Sequence, residues 1–288
     1  STEVLTEDKF EFSGGSTNLQ INNLGTDDPD AKLITTLRKS KVTSKTKLKI
    51  VSENIIVNRS SNVASGIGST TLNDGLEIGN FPFGTRVQDS IICLNNPDVY
   101  ILYGVFESPD INDPSAPSMT LASLDGPAGT TDDLIIGDII TGSISGAKAY
   151  YLVQENQISV SFAYINSQTF TKGEVVNFKD SGVSAVATNV TSGSPNISRS
   201  FKFNSGQKGD YYDYSSLVRR DEAQIPSRKL RVYYGRGYYS DSDSGDITTA
   251  NSYNLFNYTT DIPTTKGFRS TDIIDARPRV TEYSIAEG

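Results

Sequence analysis

The chain has 288 residues, no histidine, a single cysteine, no tryptophan and a formal net charge of −8. The missing histidine excludes the Ser-His-Asp triad, the Cys-His dyad and every His-containing zinc site, and a lone cysteine excludes an intrachain disulfide and a CxxC pair. The acidic balance argues against a nucleic-acid backbone binder, and 36% hydrophobic residues with abundant Gly, Ser, Thr, Asn and Asp suit many short strands joined by polar turns.

Helical periodicity is nearly absent along the chain, whereas alternation is common. The sequence opens at Ser1, which reads as the start of a section of a longer chain rather than as the product of initiator removal. In "TKLKI", Leu48 and Ile50 fall on one face of a strand, and Lys45, Lys47 and Lys49 fall on the other, as a solvated, edge-protecting face. "SGIGSTT" (65–71) lacks the lysine and spacing of a phosphate loop, and "NDG" (73–75) reads as a tight turn. Cys93, within the apolar "SIICLNN", reads as a small core residue. "PDVYILYGVFESPD" reads as a buried sandwich strand, and its apolar run, Val99–Phe106, is far short of the ~20 residues of a membrane-spanning helix. "DINDPSAPS" (110–118) and "TSGSPN" (191–196) are breaks, and "LDGPAG" (124–129) is a turn, which together suggest boundaries near 126 and 192.

A short pattern is written twice. Gly137, Asp138, Ile139 and Ile140 recur 36 positions later as Gly173, Glu174, Val175 and Val176, and Ser145-Gly146 recurs as Ser181-Gly182, with no gap. Each copy reads as a hairpin, with "QISVSFAY" as a further strand that turns Ile158, Val160, Phe162 and Tyr164 to one side. A two-stranded unit cannot hide its apolar face alone, so duplication supplies the partner and predicts a small, strongly bent sheet or barrel. Asp138 and Glu174 could serve as an acid–base pair for glycoside cleavage. Each follows a turn glycine, however, so the repeat reads as architecture and Gly137, Gly146, Gly173 and Gly182 as structural residues.

Toward the C-terminus, "KLRVYYG" places Leu230, Val232 and Tyr234 on one face. "SDSDSGD" offers Asp241, Asp243 and Asp246 as a weak calcium candidate, but its spacing fails the EF-hand loop at three positions and a solvated turn is the preferred reading. Tyr211, Tyr212, Tyr238 and Tyr239 form clusters suited to a sugar or a protein surface. In "DIIDARPR", Asp272 and Asp275 can pair with Arg277 or Arg279 while Pro278 blocks further strand pairing.

Residues 200–280 carry a resemblance, in Phe203 before Gly206-Gln207, "YYDYS" (211–215), "GDITTANSY" (245–253) and "DIIDARPR" (272–279). This stretch resembles a domain of unassigned function in large structural proteins of tailed bacteriophages, most closely baseplate and tail-fibre proteins of T4-like myoviruses of cyanobacteria. "SGIGSTTLNDG", "FPFGTRVQD", "PDVYILYGVFES" and "DPSAPSMTLASLDGP" look like the region that precedes it, so the resemblance spans roughly residues 40–280. It implies a virion component assembled in the host cytoplasm, with other phage subunits and further copies of the chain as partners, and neither enzymatic activity nor a cofactor. The acidic charge and the short apolar runs add the expectation of no nucleic-acid partner and no membrane insertion. The alternatives are a module that binds host surface glycans and, behind it, a polysaccharide-degrading tail enzyme.

The expected fold class is all-β and multi-domain: an immunoglobulin-like sandwich over 1–126, a small duplicated barrel-like module over 127–192, and a second sandwich-like phage domain over 193–288; the alternative is that the middle module is an insertion between strands of one larger sandwich.

Overall fold

The computed structural model describes residues 6–13, 18–22, 41–59, 84–208, 213–240, 242–247, 252, 264–265 and 268–269. Among them there is no α-helix, only strands and three short 3-10 turns. The strands are β1 (Phe10–Ser13), β2 (Asn18–Ile21), β3 (Lys47–Val57), β4 (Ile91–Pro97), β5 (Val99–Glu107), β6 (Ser118–Ala122), β7 (Ile139–Gly142), β8 (Lys148–Asn156), β9 (Ser159–Tyr164), β10 (Val175–Phe178), β11 (Ser184–Thr191), β12 (Phe201–Asn204), β13 (Tyr214–Arg219), β14 (Leu230–Tyr239), β15 (Thr264–Thr265) and β16 (Phe268–Arg269). The all-β, multi-domain expectation therefore holds, and no described helix is long and apolar enough to cross a membrane.

Residues 1–41 form one compact unit and 42–288 another. Within the first, β1 and β2 form a hairpin that pairs Phe12 with Leu19, both exposed.

The second unit holds a sandwich and a barrel. One sandwich sheet has the order β12-β13-β4 and the other β3-β14-β5. Side chains from both sheets share one core: Val57 of β3, Ile92 and Leu94 of β4, Val105 of β5, Phe201 of β12, Leu217 of β13, and Leu230, Val232 and Tyr234 of β14. The alternation read in "KLRVYYG" is realised in this core. Cys93 is buried beside it, as expected.

The division into two separate sandwiches gives way here. Strand β14, from the C-terminal third, lies between β3 and β5, pairing Val232 with both Ile55 and Val105. Strand β13 likewise pairs with β4. The segments before and after the middle module thus complete one another's sheets, and that module is an insertion between β5 and β12. The barrel also begins earlier than residue 127. Strand β6 belongs to it, because Met119 and Leu121 alternate into its core, and the turn after Leu124 joins two barrel strands instead of ending a domain.

Strands β4 and β5 lie in different sheets, although only Asp98 separates them. The corner is possible because Asp98 adopts φ 61°. Its carboxylate accepts from Nε2 of Gln207 at 3.0 Å and ion-pairs with Lys47 of β3, whose side chain is buried with it. Gly237 leaves the space for this pair, since a Cβ there would lie 2.4 Å from Cε of Lys47. The lysine face therefore differs from the sequence expectation: Lys49 is exposed, Lys47 turns inward, and Leu48 is exposed at 37%. A fixed countercharge inside the corner outweighs the apolar preference that the alternation of "TKLKI" suggests.

Removing one member of a buried ion pair leaves the other desolvated and unpaired, a loss of about 3–5 kcal/mol. Lys47→Met is expected to lower the unfolding free energy by that order, seen by circular dichroism as a lower urea midpoint with an unchanged slope. A midpoint equal to that of the native chain would show that the corner does not depend on the pair.

Candidate functional site

The barrel is closed, in the order β10-β11-β6-β9-β8-β7 with β7 pairing back to β10. Its core includes Met119, Leu121, Ile140, Val160, Phe162, Val176, Phe178, Ala185 and Ala187. The duplication in the sequence is a two-fold relation in the structure. Strands β7 and β10 pair antiparallel with Thr141 opposite Asn177, its own equivalent in the other copy, and with Ile140–Phe178 and Gly142–Val176 exchanged about that point. The N–H groups of Gly137 and Gly173 donate to Tyr151 and Ala187, again 36 positions apart. Both glycines have φ near +90°, 91° and 89°, which disfavours any side chain. At Gly137 a Cβ would also lie 2.4 Å from Cγ1 of Val51 in the sandwich.

Asp138 and Glu174 are both buried, and each holds the turn of the other copy. Asp138 accepts from the backbone N–H of Asp180 and Ser181 and from the Ser181 hydroxyl, each at 2.8 Å. Glu174 accepts from the N–H of Ile144 at 3.0 Å, the N–H of Ser145 at 2.9 Å and the Ser145 hydroxyl at 2.8 Å. The one-carbon difference between the acids is absorbed locally. Glu174 reaches back to the N–H of Thr171, whereas the equivalent N–H, on Ile135, is satisfied by the Ser181 hydroxyl.

The paired-acid reading fails on this geometry. The register sets Asp138 opposite Asp180 and Glu174 opposite Ile144, at opposite ends of the β7–β10 pair. At about 3.3 Å per residue the two positions are separated by about 20 Å along β10, well beyond the ~5–10 Å of paired carboxylates in glycoside cleavage. Burial pushes the Glu174 pKa up, but the N–H groups of Ser145, Thr171 and Ile144 and the Ser145 hydroxyl together hold it below the ordinary carboxylate value. The pattern Gly-acid…Ser-Gly was legible as a repeat; that its serines are the ligands of the opposite acids was not.

The acids of the Asp-rich loop also bind backbone. Asp243 accepts from the N–H of Thr46 at 2.6 Å and of Gly245 at 2.9 Å, and Asp246 accepts from the N–H and hydroxyl of Thr43. Hydrogen bonds from Gly245 and Thr46, with the charge of Lys45, lower the Asp243 pKa. The loop thus staples the approach to β3, and no metal-ligating cluster of three exists among the described residues. Tyr238 and Tyr239 sit on β14, half-buried, opposite Leu48 and Lys47 and beneath Arg236 and Lys45 respectively, rather than exposed at a tip. Asp241, Tyr211, Tyr212, Asp272, Asp275, Arg277 and Arg279 lie outside the described residues, as do "SGIGSTT" and "NDG".

The barrel meets the sandwich through Leu152, Ala163 and Tyr150 on one side and Tyr103, Phe106 and Tyr233 on the other. Tyr103 and Tyr150 pack edge to face at 5.1 Å, and the Tyr103 hydroxyl donates to the carbonyl of Val51 at 2.9 Å. Desolvation raises the pKa of Tyr103 and Tyr233, so both phenols stay neutral. The two connections to the barrel run side by side, with Ser115 and Ser194 exchanging hydrogen bonds: N–H of Ser194 to the Ser115 carbonyl, and N–H of Ser115 to the Ser194 hydroxyl. Beside this neck lies a cleft of ≈500 Å³, with Tyr103 and Phe106 in its floor and Tyr164, Ser192, Asn196 and Arg199 along its walls. The chain carries 34 acidic residues, and none of those among the described residues lines this cleft.

No family model, curated protein or solved structure matches this chain. Its chemistry is therefore read from the geometry alone.

Truncating Glu174 to Ala strands the N–H groups of Ile144, Ser145 and Thr171, and is expected to lower stability by about 1–3 kcal/mol, with a similar loss for Asp138→Ala. Thermal unfolding of the two variants checks this; unchanged midpoints would refute the mutual clasp. The folded pKa of Glu174 lies below its ordinary value of 4.5. Its contribution is therefore present above that value and lost as pH falls through the folded pKa. The stability advantage of the native chain over Glu174→Gln is expected to shrink as pH falls below the ordinary value of 4.5, as followed by chemical denaturation on acidification. An advantage that grows on acidification would reverse the sign.

Proposed function

We propose that the chain is a structural component of a tailed-bacteriophage virion, associated with the baseplate or a tail fibre, and that it mediates assembly between subunits. The observation that carries the structural part of this reading is the use of its charged groups. Asp98, Asp138, Glu174, Asp243 and Asp246 are all engaged with the chain's own backbone or a buried lysine. Glu107 joins them, accepting from the N–H of Ser227 and Arg228. Side chains that lock loops in place serve a part that must hold its shape and transmit force. The inserted barrel supports the same role, since its two adjacent connections and aromatic contact with the sandwich favour a stiff two-part segment.

The virion assignment rests on the resemblance of residues 40–280 to structural proteins of tailed phages. Its partners on this reading are other virion subunits and further copies of the chain, and its place is the tail of the particle after assembly in the host cytoplasm. It works without a catalytic step and without a cofactor.

Cross-linking and mass spectrometry of purified particles from a phage that encodes the chain tests this directly. The expected result is its recovery in the particles with cross-links to tail or baseplate subunits. Recovery only in the soluble host fraction would refute the proposal.

A further inference from the structure

We propose that the cleft at the neck between barrel and sandwich is a binding site for a sugar-sized ring bearing one anionic group, a carboxylate or a phosphate. The inference goes beyond the structural role and stands independently of it. The cleft volume of ≈500 Å³ lies within the range of about 300–1,000 Å³ typical of small-ligand sites.

Charge selects the anion. In a chain of net charge −8, the one charged side chain on the cleft wall among the described residues is Arg199. Its guanidinium is exposed and takes no partner among the described residues. Its backbone carbonyl accepts from Nε of Arg220 at 3.0 Å, which brings a second guanidinium close by. On the barrel side, the cleft is lined by Asn166, whose side-chain oxygen accepts from the backbone N–H of Lys148 at 2.9 Å. A concave surface with a guanidinium and no carboxylate among its described lining residues favours anions, and a planar guanidinium fits both carboxylate and phosphate.

The remaining groups select a hydroxylated ring. Tyr164 is half-buried, with its ring tilted on Phe170 at 5.4 Å and the rest of it on the cleft wall. Its hydroxyl accepts from the N–H of Phe170 at 3.1 Å, which leaves its own proton for a ligand. Asn196 spends its side-chain oxygen on Ser198 at 2.6 Å, and its amide hydrogens and the Ser192 hydroxyl take no partner among the described residues. An aromatic wall with hydroxyl and amide groups around it provides apolar contact for a ring and hydrogen bonds for its hydroxyls. The other polar linings, Ser194 and Ser198, are committed to the backbone of Ser115 and Val105 and hold the cleft open.

The test uses the full chain and titration calorimetry with glucuronate, glucose 6-phosphate, glucose and inorganic phosphate. Both anionic sugars are expected to bind with Kd of about 1 mM or tighter. Glucose is expected to bind at least about tenfold more weakly, for want of the charge-assisted contact. Arg199→Ala is expected to lose the anionic sugars by the same factor at an unchanged melting temperature, because its side chain holds no partner among the described residues. The proposal is overturned if neither anionic sugar binds, if glucose binds equally well, or if Arg199→Ala binds like the native chain. Inorganic phosphate binding as tightly as glucose 6-phosphate would overturn the ring assignment. Any of these failures leaves particle incorporation untouched, so the two readings fall separately.

Discussion

The position of β14 governs the rest of the molecule. This strand runs between β3 and β5 and hydrogen-bonds to both, so the larger sheet has no centre until the chain has traversed the barrel and returned. Its inward residues Leu230, Val232 and Tyr234 supply the sandwich core, and its outward Tyr233 reaches the barrel. One strand thereby joins both halves. Pairings this distant in sequence incur loop-closure entropy before they contribute stability, which favours slow folding with the barrel, a continuous segment, able to form first.

Carboxylates recur where the backbone must bend. Asp98 holds the corner at which the chain changes sheets, Asp138 and Glu174 hold the barrel turns, and Asp243 and Asp246 hold the approach to β3. For all but Asp98, which meets Lys47 and the Gln207 side chain, the common physical basis is that a turn leaves N–H groups without ladder partners, and an ionised oxygen is the strongest acceptor a side chain can offer them. The chain's acidity, which first suggested only what it does not bind, is in part the means by which its loops are fixed.

The barrel shows how duplication is completed. Copy one supplies β7, β8 and β9 in sequence. Copy two supplies only β10 and β11, and its third place is taken by β6, which precedes both copies. The two-fold relation therefore needs a strand from outside the repeat, and this explains why the barrel begins before the repeated pattern does. It also brings the ends of the barrel together at Ser115 and Ser194, the condition for inserting it into a sandwich loop.

By itself the sequence determined the strand-rich class, the inward faces of β9 and β14, the burial of Cys93 and the 36-residue repeat with its four glycines. These are local properties: alternation follows from the two-residue period of a strand, and a glycine at a positive φ follows from sterics within one residue. Only the tertiary structure decided that β3–β5 and β12–β14 build one sandwich, that Lys47 faces inward to Asp98, that each repeat's acid serves the other's serine, and that Arg199 and Tyr164 line one cleft. Each of these joins groups far apart along the chain. Alternation reports which face of a strand is apolar, but the neighbouring strand and the countercharge opposite a lysine are set by how the whole chain closes on itself.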